Sequence, residues 1–99
     1  MNDYLLFMHD DAPPTAPGAE AAWEPYLASL RASGRFDGGS SIGKGECVSK
    51  SGTPREITTR LVGYLRVRAE SIEAAREFLA GNPVYEAGGT VEIRELPKT

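Results

Sequence analysis

The single imidazole of this 99-residue chain, His9, is followed directly by Asp10 and Asp11, and a carboxylate beside a histidine raises its basicity. Side chains alternate along an extended segment, so His9 and Asp11 can converge while Asp10 points away. That trio could form a base site for a small substrate or a weak metal site, but one His and two acids are too few donors to define a zinc centre, and no metal is assigned. Glu86 is the second candidate base. It follows Tyr85 in the loop Asn82-Pro83-Val84-Tyr85-Glu86-Ala87-Gly88-Gly89, and loops carry function disproportionately. Arg66 and Arg68 share a strand face with Tyr64, where they could hold an anionic metabolite or pair with Glu92 across strands. Gly38-Gly39 and Gly43-x-Gly45 have no following helix to make a phosphate loop, so a bulged strand accounts for them better. Cys47 is the only cysteine, which excludes an internal disulfide and a redox CxxC.

Composition narrows the classes further. A net charge of −3 and a pI near 5.1, with eleven Lys and Arg scattered along the chain, offer no basic field for nucleic acid. The apolar run Tyr4 to Met8 is too short for a bilayer, and no charged leader with a cleavage site precedes it, so a cytoplasmic protein is expected. The length fits one domain over residues 1–99. Such a chain buries roughly 60 to 68% of its unfolded surface and gains from a partner.

The elements that would position these residues follow from periodicity. Tyr4-Leu5-Leu6-Phe7-Met8-His9 reads as a strand, stopped by Asp10-Asp11 and the Pro13-Pro14 pair. Ala19, Ala22, Trp23, Tyr26, Leu27 and Leu30 recur at helical spacing. Pro25 lies inside that pattern, so the helix is kinked or restarts there. Gly34 is placed as its C-cap. Phe36 to Val48 is expected to form an irregular, bulged strand, with Ser49-Lys50-Ser51-Gly52-Thr53-Pro54 as an exposed hairpin loop. From Leu61 to Arg68, Leu61, Gly63, Leu65 and Val67 face one way and Val62, Tyr64, Arg66 and Arg68 the other. Ser71 caps a second helix whose stripe is Ile72, Ala75, Phe78 and Leu79, ending at Gly81, and Val91 and Ile93 carry a last strand. The order βαββαβ predicts an α+β ferredoxin-like sandwich, an antiparallel sheet with two helices on one face.

The first strand is apolar on both sides, with Tyr4, Leu6 and Met8 on one and Leu5, Phe7 and His9 on the other. Helices cover one face, and a second copy of the sheet is the economical cover for the other, which predicts a homodimer. The alternative is a monomer whose own loop before Leu61 covers that face.

Leu61-Val62-Gly63-Tyr64, Ser71-Ile72-Glu73-Ala74-Ala75 and Gly88-Gly89-Thr90-Val91-Glu92-Ile93-Arg94 resemble, in order, the strand, helix and terminal-strand blocks of the YCII-related family of the dimeric α+β barrel superfamily. Residues 58 to 97 carry the resemblance, and residues 1 to 47 match in layout. It implies a ferredoxin-like protomer, a dimer, and a cleft between sheet and helices. Some members carry a His on the first helix and an Asp just before the proline after the second helix, proposed as a catalytic pair. The corresponding residues here look like Tyr26 and Asn82, and a Tyr-Asn pair does no acid-base work near neutral pH without a strong perturbation of the phenol. The Asp-Gly-Pro-Phe segment of another subgroup is absent, with Ser51-Gly52-Thr53-Pro54 near its place.

The expected function is therefore binding of a small anionic or oxygenated metabolite in a homodimer, without a cofactor, through Tyr26, Tyr64, Arg66, Asn82 and Tyr85. The alternatives are a proton-transfer enzyme, isomerase- or lyase-like, using His9 or Glu86 as base, and an accessory domain that binds another protein.

Overall fold

The computed structural model describes residues 1–13 and 19–98, so Pro14 of the expected Pro13-Pro14 stop lies outside the described residues. Strands β1 (Asn2–His9), β2 (Phe36–Ser41), β3 (Leu61–Ala69) and β4 (Val91–Leu96) form one antiparallel sheet in the order β2-β3-β1-β4. Helix α1 (Trp23–Ala32) follows a 3-10 turn at Ala19–Ala22, α2 (Ile72–Arg76) runs on into a 3-10 turn at Glu77–Leu79, and α3 (Pro83–Glu86) is a single turn before β4. This is the ferredoxin-like α+β sandwich that the element order predicts.

Strand register explains the core. Leu6 sits opposite Leu65 on one side and Ile93 on the other, and Tyr4 opposite Val67. Partners in an antiparallel ladder share a face, so Tyr4, Leu6, Met8, Leu65, Val67 and Ala69 form one apolar floor. Tyr26 and Leu30 from α1 and Ala75 and Leu79 from the second helical segment close over it. The opposite face keeps Leu5, Phe7 and His9 half-buried.

Local rules account for most element ends. Pro25 stands at the third position of α1, where its missing N–H has no intrahelical acceptor, so the helix, which begins at Trp23, accommodates it in its first turn. At the other end Gly34 adopts φ 73°, the left-handed conformation of a C-terminal cap. The Ser71 hydroxyl accepts from the Ala74 N–H at 3.1 Å, as expected of an N-cap. Ile72 is a correction: as the first residue of α2 it is 44% exposed, and the buried stripe is carried by Ala75 and Leu79. A second correction concerns β2, which ends at Ser41 where Val48 was expected. Residues 42–60 form no strand or helix, and every one is exposed. Ile42 still donates to the Val62 carbonyl, but Gly43 and Gly45 then remove the side chains that would anchor further pairing. The chain's own loop therefore buries none of its residues in the protomer.

Candidate functional site

A cleft of about 600 Å³ opens between α1 and the β2 edge of the sheet, within the range of roughly 300 to 1,000 Å³ typical of small-molecule sites. Trp23, Leu27 and Arg31 line it from one stripe of α1, four residues apart. Met8 and Leu65 form part of the sheet side, Phe36 flanks it from β2, and Val84 reaches it from α3. The room comes from β2 itself. The pairing with β3 slips between Phe36 and Gly39, and Gly38 takes up the bulge at φ 94°. Neither Gly38 nor Gly39 projects a side chain into the space. Polar groups gather at the rim, where Arg31, Ser40 and Ser41 are exposed. Among the described residues Arg31 makes no ion pair.

Of the residues singled out in the sequence, Tyr64 lines this cleft. Tyr26 and Asn82 are brought together behind it. The Tyr26 hydroxyl donates to the Phe78 carbonyl at 2.7 Å, and Asn82 is fully buried beside it. Burial pushes the Tyr26 phenol above its ordinary value, the neighbouring Asn82 amide offsetting only part of the effect. The phenol is thus held neutral at ordinary pH and is no base. Asn82 acts as the N-cap of α3, its Oδ1 accepting from Val84 and Tyr85 N–H groups at 3.0 and 3.1 Å, while its Nδ2 has no aligned partner. Tyr85 is 48% exposed. The Glu86 carboxylate accepts from the Gly81 N–H at 2.9 Å, folding back over its own turn. None of these four lines the cleft.

His9 and Arg66 lie on the opposite, open sheet face. His9 Nε2 stands 2.9 Å from Glu92 Oε1, and the other Glu92 oxygen is 3.7 Å from Arg94 Nε. Arg66 faces Asp3 at 3.6 Å and Arg68 faces Asp37 at 2.9 Å. The expected pairing of Arg66 or Arg68 with Glu92 is overturned because β1 lies between β3 and β4. Glu92 stands opposite Phe7, with His9 on the diagonal. Asp11 takes another partner, accepting from the Thr90 hydroxyl at 2.6 Å and the Thr90 N–H at 2.8 Å. Among the described residues no group of three or more His, Cys, Asp or Glu is placed to hold a metal.

The Asp11 link has a measurable consequence. The Thr90 hydroxyl first, then its N–H, holds the carboxyl below its ordinary value of 3.8. A depressed folded value adds stability that is present above 3.8 and is lost as pH falls through the lower folded value. The thermal midpoint should therefore decline below about pH 4, and Asp11→Asn should flatten part of that decline. Equal acid slopes in the two proteins would show that the Asp11–Thr90 link carries no stability.

Arg31, Ser40 and Ser41 have no motif that marks them in the sequence. The one signal is the spacing of Trp23, Leu27 and Arg31, which puts an aromatic, an aliphatic and a cation on one helical stripe.

No protein-family model matches the chain, and no curated protein matches it. Among solved structures it is similar to 5-chloro-2-hydroxyhydroquinone dehydrochlorinase from Burkholderia phenoliruptrix AC1100 in complex with 2,5-dihydroxybenzoquinone, at 16% identity and a TM-score of 0.54, over 98% of this chain and 95% of that one. At this identity the likeness shows the fold alone, an antiparallel sheet with helices on one face. Among the described residues no helix is long and apolar enough to cross a membrane.

Proposed function

We propose that this chain is a cytoplasmic, homodimeric member of the YCII-related family that binds a small, oxygenated or anionic ring compound in the cleft under α1. The observation that carries the reading is the cleft itself, an apolar slot between Trp23, Leu27, Phe36 and Leu65 with Arg31, Ser40 and Ser41 at its rim. Apolar walls take a ring face, and the rim supplies a charge and hydroxyls for ring oxygens. The hydroxyquinone bound by the dehydrochlorinase of the same fold belongs to that chemical class. The family reading is supported by its sequence blocks, which fall on β3, the start of α2 and the approach to β4.

Trp23 is the only tryptophan and lines the cleft, so its fluorescence reports occupancy directly. Titration with 2,5-dihydroxybenzoquinone or a hydroxybenzoate should quench it saturably. Arg31→Ala should weaken binding of the anionic probe roughly tenfold or more, the loss of one charge-assisted hydrogen bond. Linear, unsaturable quenching, or equal affinity in the variant, sinks the reading.

A second reading, proton transfer by His9, is favoured by the His9–Glu92 contact, in which a carboxylate orients an imidazole as in general-base pairs. Loss of turnover in a folded His9→Ala variant supports it, whereas unchanged turnover removes His9 from the chemistry.

A further inference from the structure

We propose that residues 42–60 form a docking arm that lies on the body of a second copy of this chain and buries Val48 and Ile57 there; this rests on the homodimer reading above. The segment is nineteen residues long, and each is exposed. Its two halves run side by side, since a Cβ at Gly45 would stand 3.4 Å from Ile57 Cδ1. At its roots it is tied by the Ile42 N–H to the Val62 carbonyl and by the Arg60 carbonyl to the Asp10 N–H. The arm projects from the sheet. The radius of gyration is 15.1 Å, against about 13 Å for a compact domain of this length, and the chain extends 46 by 40 Å but only 19 Å in thickness.

Loops of more than about 12 to 15 residues without structure of their own are uncommon in compact domains and are usually functional. This one also exposes aliphatic surface, with Val48 at 81% and Ile57 at 43%. Charge identifies the occupant. Lys44, Lys50, Arg55 and Arg60 against Glu46 and Glu56 leave the arm at +2, so the remainder of a chain of net −3 carries −5. The basic arm is complementary to the acidic body, and among the described residues none of its charged side chains is ion-paired with its own body. In a two-fold dimer each arm meets the other's body, so both are satisfied at once. Because the arm is rooted at Ser41 and Val62, both of which line the cleft, its docking would also fix the cleft's lip.

Two measurements test this. Val48→Asp with Ile57→Asp changes only exposed side chains, so the protomer should keep its circular dichroism while dimer dissociation, followed by light scattering on dilution, becomes at least about tenfold weaker. A benzophenone carried on Cys47, the exposed single thiol in the arm, should cross-link light arms to heavy bodies in a mixed isotopic sample. A dimer of unchanged affinity in the double variant, or cross-links confined within one chain, overturns the arm while leaving the homodimer intact. A wild-type protein that is monomeric at every concentration overturns both.

Discussion

Leu6→Ala is expected to remove about 2 to 5 kcal/mol of folding stability, the cost of a cavity that a packed core fills only partly. Against a total of roughly 5 to 15 kcal/mol for a domain, that is a large share of the whole and should lower the unfolding midpoint markedly. The reason lies in register. Leu6 is fully buried in β1, an inner strand of the sheet, opposite both Leu65 and Ile93 and beneath the helices that carry Tyr26 and Ala75. No neighbouring strand is free to move inward. Leu5, one residue earlier, points to the half-covered open face, so Leu5→Ala should cost the protomer much less and show itself mainly in the assembly. Urea unfolding followed by circular dichroism, at one fixed protein concentration because a dimer's stability depends on it, separates the two. Equal losses for Leu5→Ala and Leu6→Ala would mean that the two faces are equally packed within one chain.

The same strand shows why the fold was legible and the site was not. Alternation over Tyr4 to His9 and Leu61 to Arg68 is a local property, and strand geometry converts it directly into faces. Ser71 and Gly34 likewise act on their own helix ends, so their roles could be read from neighbours in sequence. Glu92 depends on sheet order, which no single segment encodes. It meets His9 because β1 sits beside β4. Glu86 and Asn82 had the composition of loop residues available for chemistry, yet Asn82 caps the backbone N–H groups of α3 and Glu86 accepts from the Gly81 N–H just before it. The cleft draws on α1, β2, β3 and α3 together, so its polar rim of Arg31, Ser40 and Ser41 becomes visible only when the elements are assembled. Gly43 and Gly45 suit a bulged strand by composition alone, whereas they lie in the arm beyond the end of β2 at Ser41.

The glycines of β2 and β3 provide the sharpest test of how that cleft is built. A Cβ on Gly39 would fall inside the contact shell of the Tyr64 carbonyl oxygen and 2.8 Å from Leu65 Cδ2. Since the obstacle is partly main chain, β2 has to move away from β3 to admit a side chain. Gly39→Val should therefore cost about 1 to 3 kcal/mol or more by overpacking. By displacing the β2 wall it should also weaken ring-compound binding, read from Trp23 quenching, by at least about tenfold. Gly63→Ala is the matched contrast. There the nearest atom is the Met8 methyl at 3.1 Å, with the Ser40 carbonyl at 3.3 Å, and a flexible thioether can swing aside. That variant should stay within about 1 kcal/mol of the parent and keep its affinity within a few-fold. Both positions line the cleft, so proximity alone predicts similar effects, whereas contact with an immovable carbonyl predicts that only Gly39 is intolerant. If Gly39→Val binds as the parent does, the close approach of β2 to β3 is not what holds the cleft open.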